Sequence, residues 1–455
     1  MAPEASTPEA NHDVSEAVSP NPPVGPPVGM KCRELQSVAV GEPIAQQLPA
    51  ATPETPQMLR ALRHPDFRLF WAGNFLSNIG TWMQNVAQGW LVLELSNSPF
   101  WLGVVGFAAS APMLVFTLIG GVIADQVDRR RMMMRTQAAM MLFAFVLAAL
   151  TWFKVVNVGE IVLLAFATGT AMSLMAPSYQ AMVPQLVPRE DLSNAIALNS
   201  AQFNLSRVVG PTLGGFAMAA FGVAGNFFLN GLSFLAVLIA LSRIRYAAPA
   251  AENNSKMMEK LSEGFRYVFA HREMTSLITL VGVVSILGFP YLIFMPMFAR
   301  DILHVGETGL GLLMAASGVG AFLAATTLAW QSEVKHGGRR VAVAAVVFFA
   351  TVIAFSFSTN FLLSTLLQMV VGYSMILMVA STNTLLQHLA ADEIRGRVMS
   401  IYATAFLGFA PIGSLIAGAL AGTVSAPYAI AGMGALGLAC TGFLYGTRKE
   451  LRGST

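Results

Sequence analysis

Long apolar segments separated by short polar ones fill the chain beyond residue 57. A helix that crosses a membrane needs roughly 17–25 mostly apolar residues, and we find twelve such segments. They lie at residues 67–95, 100–123, 133–153, 160–186, 194–219, 223–243, 274–299, 307–330, 341–358, 361–388, 396–422 and 427–446. A polar segment separates the first six from the last six. The pattern therefore predicts an all-α membrane protein with twelve transmembrane helices in two six-helix halves.

The polar segments divide the chain into five parts. Residues 1–57 hold eleven of the 23 prolines and no long apolar stretch, which predicts a disordered cytoplasmic tail. In the polar linker, Met257, Leu261 and Phe265 recur at helical spacing among basic residues, which predicts an amphipathic helix on the membrane surface. The remaining predicted parts are an N-terminal six-helix bundle at 58–245, the linker at 246–273, a C-terminal six-helix bundle at 274–446 and a cytoplasmic tail at 447–455.

The two predicted halves also resemble each other in sequence. The segment QLVPREDL at 185–192 precedes the fifth span, and QHLAADEI at 387–394 precedes the eleventh. Gly210-Pro211 is likewise echoed by Ala410-Pro411. Equivalent segments about 200 residues apart, with the same orientation in the membrane, predict two parallel halves related by a pseudo-two-fold axis.

Composition and charge support a membrane protein and set its orientation. Hydrophobic residues make up 55% of the chain and charged residues 11%, whereas soluble domains carry about 25% charged residues. If the N-terminus is cytoplasmic, all but three of the 27 Lys and Arg residues fall on the cytoplasmic side, the exceptions being Lys154, Arg207 and Arg300. The basic excess therefore predicts two cytoplasmic termini, and we expect no nucleic-acid partner.

The loop after the second span carries the most specific motif, GVIADQVDRRR at 121–131. It resembles the G-x-L-A-D-R-x-G-R-R signature between helices 2 and 3 of the major facilitator superfamily, but Gln126 and Asp128 replace the usual Arg and Gly. The resemblance implies an ionic latch that holds the cytoplasmic faces of the two halves together in the outward-open state. A basic loop that only sets topology is the alternative. The residues of this gating motif are Gly121, Asp125, Asp128, Arg129, Arg130 and Arg131.

A second motif lies in the fifth span. The segment SRVVGPTLGG at 206–215 resembles the antiporter motif G-x-x-x-G-P-x-x-G-G, which occurs in exporters of the superfamily and is generally absent from its importers. Small residues one turn apart allow close helix packing, and proline can bend a helix. An ordinary glycine-rich packing face is the alternative. The candidate residues are Arg207, Gly210, Pro211, Gly214 and Gly215.

Polar residues inside the spans are the candidates for lining a substrate path. Arg207 lies in mid-span, where a charge is costly and usually faces the protein interior or water. It could bind an anionic substrate, pair with a carboxylate, or donate to backbone carbonyls. The first span carries a polar stripe with helical spacing, which we expect to face a cavity; hydrogen bonds with neighbouring helices are the alternative. Together with two weaker candidates, the polar set is Asn74, Asn78, Thr81, Asn85, Gln88, Gln202 and Asn383.

Further segments resemble one branch of the superfamily, the transmembrane secretion effector or enterobactin-exporter-like branch. They are HPDFRLFW at 64–71, WMQN at 82–85, APS at 176–178, IRGRVM at 394–399 and PIGSLIAG at 411–418. The resemblance covers about residues 60–446. It implies a bacterial inner-membrane protein that exports small molecules, such as drugs, siderophores or secondary metabolites, in exchange for protons.

Other functional classes find less support. The chain has no HExxH or GxxxxGK[ST] motif and no intramembrane cluster of His, Asp and Glu, so we expect neither an enzyme nor an ATP-driven pump. Its two cysteines lie far apart, and we expect no metal or other cofactor. The expected partners are a small-molecule substrate, protons and the lipid bilayer, with the chain acting as a monomer. An importer or lipid flippase of the same fold, or a membrane sensor or scaffold that transports nothing, are the alternatives.

Overall fold

The computed structural model describes residues 57–126, 128–244, 257–330 and 337–448, without the side chains at 57–58, 115–127, 257–262 and 329. Within these ranges the chain is helical, with no β-strand. A 3₁₀ turn at Gln57–Arg63 precedes the first helix, and π-helical turns lie at Phe298–Ile302 and Thr404–Gly408. The α-helices are α1 (Pro65–Ser96), α2 (Pro99–Gln126), α3 (Arg129–Trp152), α4 (Val158–Met182), α5 (Leu192–Arg243), α6 (Met257–Ala270), α7 (Arg272–Leu287), α8 (Met295–Met297), α9 (Gly306–Trp330), α10 (Gly337–Ser356), α11 (Phe361–Leu389), α12 (Arg395–Ala403), α13 (Ala410–Val424) and α14 (Ala426–Thr447).

The protein is a multi-pass membrane protein built from helices. In the described ranges, nine helical runs are long and apolar enough to cross a membrane, and Pro99–Leu114 is a shorter apolar run. The helix α1 is 32 residues long but is not among the nine. Its polar stripe and terminal charges lower its mean hydropathy. The exact count of twelve spans stays a prediction.

The longest run breaks at one glycine. Arg189–Arg243 has 55 residues, and within it Gly222 has φ 71° and ψ 176°, outside the helical region. Glycine adopts positive φ at little cost because it has no Cβ. A Cβ built at Gly222 meets no atom within 4 Å, so the backbone conformation, and not a lack of space, favours glycine here. The break turns α5 into two arms.

The segment after α7 is irregular because of proline. A 3₁₀ turn at Phe289–Phe294 follows α7, and the short α8 leads into the π-helical turn Phe298–Ile302. Pro290 has no N–H, so it cannot donate to the carbonyl of Ile286 as a helical residue would. Gly413 of α13 packs directly against that carbonyl. A side chain at position 413 would therefore disturb the contact between α13 and the end of α7.

The helices form an N-terminal group, α1–α5, and a C-terminal group, α7–α14. Within the first group α1 packs on α5 and α2 on α4, and within the second α9 and α10 pack on α11. The two groups meet mainly where α5 packs on α9 and where α2 packs on α13. We name the end of the protein that carries the α1–α2 turn the Asn97 end, and the end that carries the α2–α3 turn the Asp128 end.

Buried hydrogen bonds fasten α1 to the second arm of α5. Asn230 Nδ2 donates to Gln84 Oε1 at 2.6 Å, and Ser233 Oγ donates to the backbone carbonyl of Asn230 at 2.7 Å. All three side chains are buried. The cluster lies over Gly80, where an added Cβ would stand 2.5 Å from Asn230 Oδ1. Because unsatisfied buried amides are costly, this network fixes the register of the two helices.

Candidate functional site

The glycines of the α5 motif bring α1 close to the helix backbone. A Cβ on Gly210 would stand 2.5 Å from Trp82 Cβ, and one on Gly214 would stand 3.0 Å from Met83 Cα. Neither distance leaves room for a side chain, so both positions require glycine for the observed packing. This half of the motif therefore serves contacts within the N-terminal group.

The proline of the motif does not interrupt α5. Pro211 lies inside the helix, and the break in helical backbone angles occurs at Gly222 instead. Ser206, which stands in place of the first glycine of the motif, is buried and donates through Oγ to the carbonyl of Gln202 at 2.9 Å. The exchange of glycine for serine therefore keeps close packing and adds a local hydrogen bond.

The other face of the motif contacts the C-terminal group. A Cβ on Gly215 would stand 2.6 Å from the carbonyl oxygen of Glu307 and 3.1 Å from Gly311 Cα. A Cβ on Gly311 would in turn stand 2.7 Å from the carbonyl oxygen of Pro211. The backbones of α5 and α9 therefore touch near the Asn97 end, with one glycine on each side.

A second contact of the same kind joins α2 to α13. A Cβ on Gly103 would stand 2.6 Å from Gly418 Cα and 2.7 Å from the carbonyl oxygen of Ser414. Nearby, Arg300 Nη1 donates to the carbonyl of Leu93 at 3.0 Å, which ties the C-terminal group to the end of α1. Two glycine-on-glycine crossings and this hydrogen bond close the Asn97 end between the two groups.

Arg207 lies beside the boundary between the groups. It keeps some accessible surface, and its guanidinium carbon lies 5.9 Å from the centre of the Trp82 ring, within the range of a cation–π interaction. Among the described residues, its polar contact is a long one, from Nη2 to Met375 Sδ at 3.8 Å. In the described part of the chain, no carboxylate and no backbone carbonyl pairs with Arg207. The observed contacts therefore favour neither a carboxylate partner nor a role as backbone donor.

The polar stripe of α1 divides into two parts. Asn74 is buried and donates to the carbonyl of Phe70 at 2.8 Å, while Thr81 donates to the carbonyl of Ser77 at 2.9 Å. These two side chains satisfy the hydrogen bonds of their own helix. Asn85 is exposed and Gln88 is partly buried, with no hydrogen bond from either side chain among the described contacts.

The other predicted polar residues differ in their partners. With the Gln202 amide oriented so that its oxygen faces Asn78, Asn78 Nδ2 donates to it at 2.8 Å. Gln202 is buried, so this pair connects α1 to α5 inside the N-terminal group. Asn383 is partly buried on α11 and accepts a hydrogen bond from Gln387 one turn later. The structure does not bring Asn383 to Arg207 through any described contact.

The described residues of the gating motif make contacts within the N-terminal group. Asp128 caps α3 by accepting from the backbone N–H of Arg131 at 3.1 Å. Arg130 donates to the carbonyls of Leu241 and Ser242, at 2.6 and 2.8 Å, at the C-terminal end of α5. A basic side chain there satisfies open carbonyls and the helix dipole.

The part of the latch that involves the end of α2 is not visible. Arg129 is partly buried, without a hydrogen bond or ion pair among the described contacts. The side chains at Gly121 and Asp125 lie outside the described residues. The latch between the two halves stays a prediction.

Sequence reasoning missed several polar groups of the C-terminal group. Ser317 of α9 and Gln368 of α11 are buried in otherwise apolar spans, and Tyr291 is buried in the 3₁₀ turn after α7. A mid-span glutamine is itself a signal of function in a membrane helix, and that signal could have identified Gln368.

The described residues form neither a metal site nor, in the groove at the end of α3, a site for a polar ligand. The described residues contain no group of three or more His, Cys, Asp or Glu side chains able to hold a metal ion. A groove of about 1050 Å³ lies between the end of α3 and the Gly222 break, lined by Phe145, Ala148, Ala149, Trp152, Phe153, Ala220, Phe221, Ala224, Gly225, Phe228 and Leu229. Apart from the Trp152 indole, this lining has no side chain that could recognise a polar ligand.

Comparisons with known sequences cover nearly the whole helical part of the chain. The profile of a family described as transmembrane secretion effector matches residues 57–452. A staphyloferrin A transporter of Staphylococcus aureus is 24% identical over 362 residues, which cover 77% of this chain and 88% of the relative. An enterobactin exporter of Citrobacter koseri is 24% identical, covering 84% and 91%. A multidrug efflux pump of Mycolicibacterium fortuitum is 27% identical, covering 74% and 84%.

Solved structures share the fold at low sequence identity. A bacterial homologue of the human lysosomal transporter Spinster, in an inward-facing and unoccupied conformation, is similar with a TM-score of 0.62 and 14% identity, covering 87% of this chain and 96% of that one. A transporter of the POT family in complex with 5-aminolevulinic acid has a TM-score of 0.66 and 9% identity, covering 85% and 96%. At these identities the likeness concerns the fold alone.

Proposed function

The chain belongs to the transmembrane secretion effector family of the major facilitator superfamily, and from this premise we propose that it exports small amphipathic or anionic molecules by proton-coupled alternating access. It is a membrane transporter and not an enzyme. The observation that carries the proposal is Arg207, an unpaired cation beside the boundary between two helix groups. The similarity to an enterobactin exporter and to a multidrug efflux pump supports export from a bacterial inner membrane.

The proposal includes a specific topology. Counting α1, α2 and the two arms of α5 separately, together with the other runs, leads to twelve spans, six before α6 and six after it. Placing both termini in the cytoplasm makes the Asn97 end the outer end, because basic residues are concentrated at the Asp128 end. The closed crossings at Gly103 and Gly215 then correspond to a conformation that is shut toward the outside.

Proton coupling requires a group that binds and releases a proton during the transport cycle. The acidic side chains of the described spans lie near helix ends, as Glu94, Glu160 and Glu307 do. The proton could therefore be carried by Asp125, by an acid at a helix end such as Glu94, or by the substrate itself. The alternatives to an exporter are an importer, a lipid flippase and a scaffold that transports nothing. Transport measured in inverted vesicles distinguishes an exporter from them.

In inverted membrane vesicles, we expect an imposed proton gradient, acidic inside, to drive accumulation of an amphipathic or anionic substrate. One pH unit corresponds to about 1.4 kcal/mol, so one-for-one exchange would concentrate a neutral substrate about tenfold. Proton release through a fluorescent pH indicator measures the exchange, with vesicles lacking the protein as the control. Transport at the same rate after an ionophore has collapsed the gradient would rule out proton coupling and leave facilitated diffusion.

Asp125→Asn tests the latch. We expect slower transport through a shifted balance of inward-open and outward-open states, with substrate affinity nearly unchanged. An exposed ion pair is worth at most about 1 kcal/mol, which changes the balance several-fold. Asp392→Asn is the matched control, because Asp392 is an exposed carboxylate outside the gating motif and pairs with Arg395 three residues later. A large loss of affinity with an unchanged conformational balance would contradict the latch.

A further inference from the structure

Three buried side chains of the C-terminal group each have a polar atom without a hydrogen-bond partner. Tyr291, Ser317 and Gln368 are 1%, 2% and 0% exposed. The Tyr291 hydroxyl, the Ser317 hydroxyl and Gln368 Oε1 have no partner among the described atoms. Buried polar groups in folded proteins are nearly always paired, and an exception calls for an explanation such as a bound molecule.

These groups lie around one crossing of helices. Gly372 of α11 packs against the backbone of Ser317 on α9, and Gly318 packs against Val208, the neighbour of Arg207 on α5. The hydroxyls of Ser317 and Tyr291 lie close to each other, without the geometry of a hydrogen bond. Arg207, Tyr291 and Ser317 therefore share one location, although they belong to three different elements.

Gln368 lies on α11 close to the same helix crossing. It lies one turn before Gly372, and its Nε2 donates to Met295 Sδ at 3.5 Å. Gln368 and Met375 are seven residues apart, so they lie on the same helical face. Met375 is the residue that contacts Arg207. The Arg207 guanidinium and the unpaired Gln368 Oε1 therefore lie along the same face of α11, separated by up to two helical turns, about 10 Å.

The positive charge of Arg207 favours an anionic ligand at this location. Val208, the neighbour of Arg207, packs against Gly318, the neighbour of Ser317, and in the described part of the chain no carboxylate neutralises the Arg207 charge. A charge that is partly withdrawn from water and has no partner is unfavourable, so one negative charge on a ligand would stabilise the site and a second would lack a counter-charge. Trp82, Met295 and Met375 add apolar and aromatic surface for the body of such a ligand.

We propose that Arg207, Tyr291, Ser317 and Gln368 form a binding site for an aromatic or apolar monocarboxylate with a hydrogen-bond donor at its far end. Arg207 binds the carboxylate, and the hydroxyls of Tyr291 and Ser317 donate to its oxygens. Gln368 Oε1 accepts from the hydroxyl or N–H group at the other end of the ligand. The inference rests on the proposed transport function and narrows its substrate class.

The location of these residues also links binding to movement. Arg207 belongs to the N-terminal group, and the other three belong to the C-terminal group. A ligand that contacts both ends of the site therefore holds the two groups in one relative position. Any separation of the groups would break one set of contacts.

Equilibrium dialysis with the purified full-length protein tests the site through three probes of similar size. We expect para-hydroxyphenylacetate to bind about tenfold more tightly than para-methoxyphenylacetate, which cannot donate to Gln368. We expect it to bind about a hundredfold more tightly than para-hydroxyphenylacetamide, which lacks the charge. Equal binding of the acid and the amide, or no saturable binding of the acid, would overturn the proposal.

Variants assign these preferences to residues. Gln368→Leu should remove the preference for hydroxyl over methoxy, and Tyr291→Phe should weaken binding of both acids equally. Gln137→Leu is the matched control, because Gln137 is also buried, donates to Met175 Sδ at 3.2 Å and has an unpartnered Oε1, but lies in α3. An unchanged preference in Gln368→Leu would mean that water alone satisfies these groups, and would overturn the site.

The binding measurement separates the inference from the proposed function. Binding at equilibrium requires neither a proton gradient nor a complete transport cycle. The expected preferences without proton-driven transport would overturn export and leave the binding site established. Proton-driven transport with no preference among the probes would overturn the binding site and leave export established.

Discussion

Arg207→Ala is expected to reduce transport of an anionic substrate about a hundredfold while the protein still folds. Removing one partner of a buried charge pair costs about 3 kcal/mol or more, and this corresponds to roughly a hundredfold in affinity or rate. Folding should be preserved because, among the described residues, the polar and ring contacts of Arg207 are the long one to Met375 Sδ and the cation–π contact with Trp82. Initial transport rates in vesicles, normalised to the amount of folded protein, measure the effect.

Two further variants define what Arg207 does. Arg207→Lys retains the charge but loses the planar fork of donors, so we expect partial recovery for an anionic substrate. Arg243→Ala is a matched control, because Arg243 is exposed in the last turn of α5, with no ion pair among the described residues. Normal transport by Arg207→Ala would show that the residue is structural and would remove the main support for an anionic substrate.

Valine at Gly103 or Gly311 is expected to open the Asn97 end and to stop the transport cycle. At either position the new Cβ would meet backbone atoms of the facing helix, within 2.6 Å at Gly103 and 2.7 Å at Gly311. Backbone cannot move aside as a flexible side chain can, so the two helix groups must separate. Overpacking of this kind costs about 1–3 kcal/mol, which shifts a two-state equilibrium about 5- to 150-fold.

Spin labels can report this opening directly. Val155 and Tyr428 are exposed at the Asn97 end, one in each helix group, and suit a distance measurement after Cys32 and Cys440 have been replaced. We expect a longer distance in the valine variants. Gly442→Val is the control, because a Cβ there meets nothing within 4 Å. An unchanged distance distribution combined with normal transport would show that the crossings do not control access.

The helices themselves could be predicted from the sequence with good accuracy. The apolar segment at 361–388 corresponds to α11 (Phe361–Leu389), and the segment at 427–446 corresponds to α14 (Ala426–Thr447). Lipid cannot hydrogen-bond to the backbone, so a segment that faces lipid must pair its own backbone groups, as an apolar helix does. This requirement is local, and it can be detected in any window of the sequence. The family resemblance is confirmed by the profile match over residues 57–452.

The role of individual polar residues could be predicted less well. Asn74 and Asn85 belong to the same stripe, but one is buried within the helix packing and the other is exposed. Periodicity shows that residues share a helical face. Such a face carries about three residues in every two turns, and it is wide enough to contact two neighbouring helices at once. Which neighbour each residue meets depends on the rotation of α1 against α5, and that rotation is set by packing over the whole group.

The sequence by itself determined that this protein is a helical membrane transporter, that Arg207 is a mid-span charge, and that α5 carries a glycine-rich contact surface. Only the tertiary structure decided that Gly103 faces Gly418 and that Val208, the neighbour of Arg207, packs against Gly318 of α9. The physical reason is the range of the forces involved. Transfer into lipid acts on each segment separately, whereas contacts between helices depend on register and rotation of segments more than a hundred residues apart.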